Sequence, residues 1–335
     1  MRPFRQMTIL VAFLLLAAGA AAEPTVAPGY RLESFSKTGA AFAGLSRDGE
    51  ALLVTDLASG RLYRRMPGGD FDAFGPVFPH GLDVIGDPTG PYRVFRAGDK
   101  LIVAQGWTPA NGAEGPYDHA LIALDGAGGR HVISADFWNP FDLVAVEDAY
   151  YVVDSARNSV ERLGVDGRKQ TIMSFRRLRQ QATGLETLSP TEFKGEDSYE
   201  VDAVPTGIAL REGRLYVALF GGFPFLGGAG KVVSMAEKGE RTEVRPDVEG
   251  LNAPVAIAFD DEGQMLILEH GLYDQQQGFR SGSGRLLRLD KATGSRETVV
   301  DGLTRPVSVL VWDSSQIVIS ELGGTLLFLT RKERR

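Results

Sequence analysis

Short apolar runs fill this chain from residue 41 onward, each one closed by a polar residue, a glycine turn or both. They come in pairs. The first member of each pair is an entry segment: AFAGLS (41–46), FPHGLDV (78–84), NPFDLVAV (139–146), VPTGIAL (204–210), APVAIAF (253–259) and RPVSVLV (305–311). The second is a strand that stops abruptly: LLVTD at Asp56, LIVAQ at Gln105, YYVVD at Asp154, LYVAL at Leu219, LILE at Glu269 and IVISE at Glu321. From anchor to strand end, Phe42, Pro140 and Pro205 lie 14 residues away, and Pro254 and Pro306 lie 15 away. The second copy departs, with 26 residues from Pro79 to Gln105. Runs this short, rich in β-branched and aromatic residues and bounded by turn chemistry such as Asp48-Gly49 and Glu262-Gly263, predict strands joined by hairpins. An all-strand unit repeating every 40–50 residues or so is the signature of a β-propeller. Six copies predict six four-stranded antiparallel blades.

Each unit continues into a third strand (RLYRRM at 61–66, RLLRLD at 285–290, TLLFLT at 325–330) and an outer one (ETVVDGL at 297–303). The run YRLESFS (30–36) reads as an outer strand, yet it precedes the first unit, and the chain ends on a third strand. The N-terminal strand is therefore expected to complete the sixth blade, which closes the ring and removes exposed edges.

Residues 1–22 read as a secretory signal: Arg2 and Arg5, an apolar stretch from Ile9 to Ala18, then Ala20-Ala21-Ala22 before Glu23. The remaining chain, 23–335, is expected to be one propeller, periplasmic or secreted, with no membrane span once the leader is cleaved. The chain has no cysteine, which excludes disulfides, thiol catalysis and thiolate metal sites. Without the two leader arginines, 34 basic residues face 43 acidic ones, a net charge of −9. That opposes nucleic acid as a partner.

Topology places the end of strand b, the b–c loop and the blade entry at one end of each blade. Long insertions at 106–118, 176–203, 220–230 and 270–284 map to this face, and only 86–96 falls on the other. Binding usually lives on long loops of a rigid scaffold. A small molecule, glycan or protein is therefore expected on the long-loop face. Asp56, Asp154, Glu269 and Glu321 end strand b in blades one, three, five and six, and as a ring they suit Ca2+ or another divalent cation. An acid at the end of strand b more often bonds the backbone N–H groups of the next turn, and that structural role is the stronger expectation. His80 and His270 fall in opposite blades and are expected to face one central pocket. Asn139 at a strand entry, and the rings of Trp107, Phe223, Phe225 and Tyr273, complete the expected channel mouth.

VPTGIALREGRLYVALFGGFPFLGGAGKVVSM (204–235), LILEHGLYDQQQGFRSGSGRLLRLD (266–290) and DGLTRPVSVLV (301–311) resemble the ScyD/ScyE family of exported bacterial propellers. The resemblance implies a six-bladed fold of the broad NHL and SMP-30-like kind and carries no shared catalytic residues. Three functions stay open. One is a binding or scaffolding propeller. The second is a metal-dependent lactonase or esterase of the SMP-30-like kind, with Asp154, Glu269 or Glu321 as ligands. The third is a quinoprotein sugar dehydrogenase that takes PQQ, for which SRDGEALLVTDLASGRL (46–62) is faintly similar to the opening blade.

Overall fold

The structure, a computed structural model, describes residues 23–83, 85–106, 117–126, 129–181, 198–238, 241–290 and 292–332. The proposed leader (1–22) and Trp107 lie outside the described residues. Among those described there is no helix, and none therefore long and apolar enough to cross a membrane.

Six four-stranded antiparallel units form the ring. Strand a is innermost in each: Phe42–Asp48, Pro91–Ala97, Pro140–Val146, Pro205–Arg211, Pro254–Phe259 and Pro306–Val311. Strand b follows: Ala51–Asp56, Lys100–Gln105, Ala149–Asp154, Arg214–Leu219, Met265–Glu269 and Gln316–Glu321. Neighbouring a strands touch around the circle, from blade one through six and back to one. Strand b is buried on both faces, which is why its sequence is nearly continuous apolar rather than alternating. The core is not one mass. Six hydrophobic clusters fill the six interfaces between blades, such as Leu53, Leu62, Val94 and Val103 between blades one and two.

Tyr30–Ser36 pairs along its whole length with Thr325–Arg331, so the sixth blade takes its outer strand from the N-terminal side of the chain. Thr25–Val26 adds a fifth strand to the outer edge of blade five. The first described residues thus tie blades five and six together.

Blade two corrects the sequence reading. Its inner strand is Pro91–Ala97, not the FPHGLDV segment. Pro91 pairs with Gln105, 14 residues on, so the irregular copy obeys the common spacing. Segment 78–90 is the true insertion. It forms a small hairpin, Gly81–Leu82 with Pro88–Thr89, before the strand entry, and so it belongs to the long-loop face. The anchor was misread because Phe78-Pro79 imitates the entry signal of the other blades. Phe78 is fully buried, while its proline lies in an irregular stretch that leads into the short Gly81–Leu82 strand.

Glycines let the inner strands approach closely. A Cβ on Gly44 would lie 2.3 Å from the Tyr92 carbonyl oxygen and 2.9 Å from Arg93 Cα, both backbone atoms of the next blade. Gly44→Ala is therefore expected to lower stability by about 1–3 kcal/mol, read as a lower urea midpoint. Gly126→Ala, where a Cβ meets nothing within 4 Å, should stay within roughly 0.5 kcal/mol of the parent.

Candidate functional site at the channel mouth

One hydrogen bond recurs in every blade and sets the geometry of the mouth. The residue after the end of strand b donates its N–H to the carbonyl just before the anchor of strand a. The six bonds are Leu57 to Ala41 (2.9 Å), Gly106 to Gly90 (3.0 Å), Ser155 to Asn139 (3.0 Å), Phe220 to Val204 (3.0 Å), His270 to Ala253 (2.9 Å) and Leu322 to Arg305 (3.2 Å). A register shift accompanies the clamp near each strand entry. Such bulges re-aim side chains.

The four acids expected to converge on a cation are turned into their own blades. Asp56 accepts the Ala41 and Ala58 amides at 2.7 and 3.1 Å and the Ser59 hydroxyl at 2.6 Å. Asp154 accepts the Trp138 and Asn139 amides at 2.9 and 2.8 Å. Glu269 accepts the Asn252 amide at 2.7 Å and is ion-paired with Arg285. Glu321 accepts the Thr304 amide at 2.6 Å, and burial raises its pKa against that bond. Among the described residues, no three His, Asp or Glu side chains come together as a metal-holding group. The donor set a divalent ion requires is not assembled from these residues.

The channel is lined instead by the neighbours of the clamp. Leu57, Ser155, Phe220, His270 and Leu322 each follow the end of strand b, and Tyr92, Phe141, Thr206, Val255 and Val307 each follow the strand a anchor. Together with the hairpin of blade two they border an open cavity of about 200 Å3. Its walls are aromatic on two sides. Tyr92 and Phe141 stack at 4.5 Å on one. On the other, Phe220 meets Phe225 at 5.8 Å and Phe279 at 5.9 Å. One residue further along strand a, Arg93 lies 3.4 Å from Asp142 and 3.4 Å from the Ser308 hydroxyl, reaching across the channel.

Sequence-predicted residues fall unevenly on this cavity. Asn139, Phe225 and His270 line it. Tyr273 packs behind Phe225 and Phe279, at 5.0 Å from each. Phe223 is 49% exposed on the rim. His80 does not join His270. Its Nδ1 lies 2.9 Å from the Phe78 carbonyl, beside Gly60 and off the cavity wall. Residues missed from sequence are Tyr92, Phe141, Phe279 and the hairpin acids Asp83 and Asp87. Tyr92 and Phe141 carried a signal, the position directly after the anchor. In blade two that signal was hidden by the misplaced strand.

His270 is the polar centre of the cavity. It is 5% exposed and packed against Phe279 at 4.5 Å. Nδ1 lies 2.9 Å from the Pro306 carbonyl. A carbonyl only accepts, so Nδ1 carries the proton and Nε2 is left as an acceptor toward the cavity. Burial, then the charge of Arg305, lowers its pKa to about 3, against the raising effect of the Pro306 bond. The imidazole is therefore neutral at neutral pH. Burial, then the fields of Asp83 and Asp87, hold the Tyr92 phenol well above its ordinary range, while a hydrogen bond to Asn139 opposes them. Arg305, whose φ of 52° precedes Pro306, reaches Asp87 at 2.6 Å. Val204 and Ala253 adopt the same left-handed backbone before their prolines, each at φ 47°. Such strain tends to cluster around ligand sites.

Fold and cavity together define a six-bladed β-propeller with an aromatic-lined cavity open at its mouth. Solved structures share the ring. A gluconolactonase from Xanthomonas campestris superposes with a TM-score of 0.60 at 15% identity, covering 94% of this chain and 93% of its own. A luciferin-regenerating enzyme gives 0.57 at 10% identity, covering 90% and 95%. A catalytically inactive histidine-to-alanine variant of virginiamycin B lyase from Staphylococcus aureus, solved with quinupristin, gives 0.52 at 12% identity, covering 90% and 99%. No protein-family model matches the chain, and no curated protein matches it in sequence. At these identities the likeness is one of fold.

Two outcomes follow from the geometry. Asp154→Ala should destabilise the protein by about 1–3 kcal/mol for each backbone amide left without a partner. Adding EDTA or Ca2+ should leave the melting temperature of both proteins unchanged. The second concerns pH. In the unfolded chain, His270 takes up a proton near 6.5, but in the folded chain only near 3. Between those values the unfolded state binds more protons, so stability is held above pH 6.5 and lost as pH falls toward 3. His270→Leu should flatten that limb of the stability profile by an amount of order a few kcal/mol, measured by urea melts from pH 7 to 4.

Proposed function

We propose that this chain is an exported binding propeller of the ScyD/ScyE kind that takes a small, largely apolar molecule into the mouth cavity. The observation that carries the reading is the cavity itself: aromatic walls around one buried acceptor, His270 Nε2. Concave, mostly apolar sites with few polar groups are how proteins hold small molecules. Export is supported by the signal-like pattern of residues 1–22, and a small-molecule partner agrees with the acidic net charge.

The character of His270 favours binding over acid–base chemistry. A ring whose conjugate acid has a pKa of about 3 is a feeble base at neutral pH, far from the value that proton transfer favours. It remains a good hydrogen-bond acceptor. The SMP-30-like hydrolase is the second reading, supported by a gluconolactonase that shares the ring over nearly its full length. That chemistry needs a bound ion to polarise a carbonyl. Asp56, Asp154, Glu269 and Glu321, the acids expected to hold such an ion, accept backbone amides of their own blades instead. One fold hosts many chemistries, so the site decides.

The test is a fragment screen by ligand-detected NMR against the wild type and Val255→Trp, whose indole would fill the cavity. Fragments that bind the wild type should be lost from the variant, with circular dichroism confirming that both are folded. Equal binding to both proteins overturns the reading. Turnover of lactones that EDTA abolishes would replace it with the hydrolase.

A further inference from the structure

The charge around the cavity narrows its ligand. Resting on the reading of this cavity as a binding site, we propose that it selects a small organic cation, such as a quaternary or protonated amine. Among the described residues that line it, the charged side chains are Asp83 and Asp87, and none is a lysine or arginine. Both come from the blade two hairpin, which lies over the mouth. Arg305 stands just outside and is engaged by Asp87. With His270 neutral and Arg93 paired to Asp142, the described groups Asp83, Asp87 and Arg305 leave one negative charge in excess beside the cavity.

The carboxylates are placed to act on a ligand. Asp83 Oδ1 accepts the Ile85 and Asp87 amides at 2.9 and 2.8 Å, which fixes the hairpin turn. These bonds leave Oδ2 without a hydrogen bond from a described residue. Burial raises the Asp87 pKa, Arg305 opposes this, and Asp83 adds to the rise. The fields of both acids also reach the Tyr92 hydroxyl in the cavity wall. A neutral guest would leave these carboxylates desolvated and only partly compensated, and an anion would be repelled. A cation would neutralise them.

The rest of the wall agrees. Aromatic faces carry negative quadrupole charge and attract cations within about 6 Å, more strongly when water is excluded. Tyr92 and Phe141, stacked on one another, line the cavity on one side, and Phe220, Phe225 and Phe279 line it on the other. His270 is more than nine-tenths buried, its Nδ1 is engaged by Pro306, and its Nε2, with no hydrogen bond from a described residue, is placed to accept from a donor on the guest. The carboxylates, the aromatic walls and the neutral acceptor meet at one cavity and favour the same class of guest.

Three probes of nearly one shape separate the possibilities: choline, its neutral isostere 3,3-dimethylbutan-1-ol, and the anion 3,3-dimethylbutanoate. Isothermal titration of the full mature chain should show choline binding at least tenfold tighter than the alcohol, with no binding of the anion. Asp83→Asn keeps the Oδ1 acceptor that holds the turn but removes the charge, and it should weaken choline at least tenfold while leaving the alcohol unchanged. An alcohol that binds as well as choline, a choline affinity indifferent to Asp83→Asn, or no choline binding at all would overturn the cation assignment. If alcohol binding is then still lost in Val255→Trp, the apolar cavity stands as a ligand site and only its charge preference falls.

Discussion

The clamp at the mouth end of each blade is the constraint on which the rest of this molecule depends. Six times the chain leaves strand b, and six times the next N–H returns to the carbonyl before strand a. The bond ties the two innermost strands of a blade together where the channel opens. In four blades a carboxylate adds a second tie by accepting an amide from the same entry segment. In blade two, Gln105 does related work by donating to the Pro79 carbonyl at 2.8 Å. Buried backbone groups must find partners, and here the repeat satisfies them with a repeated solution.

This clamp fixes the phase of the site. A side chain at the end of strand b is consumed inside its blade, so the residue one place later faces the channel. The register shift on strand a does the same for the residue after the anchor. The mouth is thus built from positions adjacent to the conspicuous ones. Its aromatic and aliphatic character follows from Tyr92, Phe141, Phe220, Val255, Val307 and Leu322, while the acids that stand out in sequence serve the scaffold. Among the positions that follow the end of strand b, His270 is conspicuous in sequence as well as placed on the cavity, because it directly follows Glu269.

Electrostatics at the mouth depends on elements far apart in the chain. The hairpin of blade two brings Asp83 and Asp87 over the cavity, and Asp87 meets Arg305 from the entry to blade six. Arg305 precedes Pro306, whose carbonyl orients the imidazole of His270. The covering hairpin and the buried acceptor are thus linked through one short stretch of backbone. The shared ring of gluconolactonase, luciferin-regenerating enzyme and lyase structures shows how much of such a molecule is framework.

The repeat, the number of blades, the order of strands within a blade and the closure by the N-terminal strand are all legible in the amino-acid pattern. These follow from local periodicity: strand b must be apolar on both faces, turns need glycine or acid, and an outer strand stranded at the start must pair with an unpaired edge at the end. The pattern also placed Asn139, Phe225 and His270 near the mouth, since the ends of strand b converge there. Tertiary structure alone decided which neighbour of each strand end faces the channel, because one residue of phase is set by a hydrogen bond and a bulge rather than by composition. It also decided that segment 78–90 is an insertion over the mouth, since Phe78-Pro79 and Pro91 carry similar local signals and only pairing of Pro91 with Gln105 chooses between them. The carboxylates show the same limit. An acid at a strand end reads alike whether it faces an ion or a backbone amide, and only the fold supplies the amide.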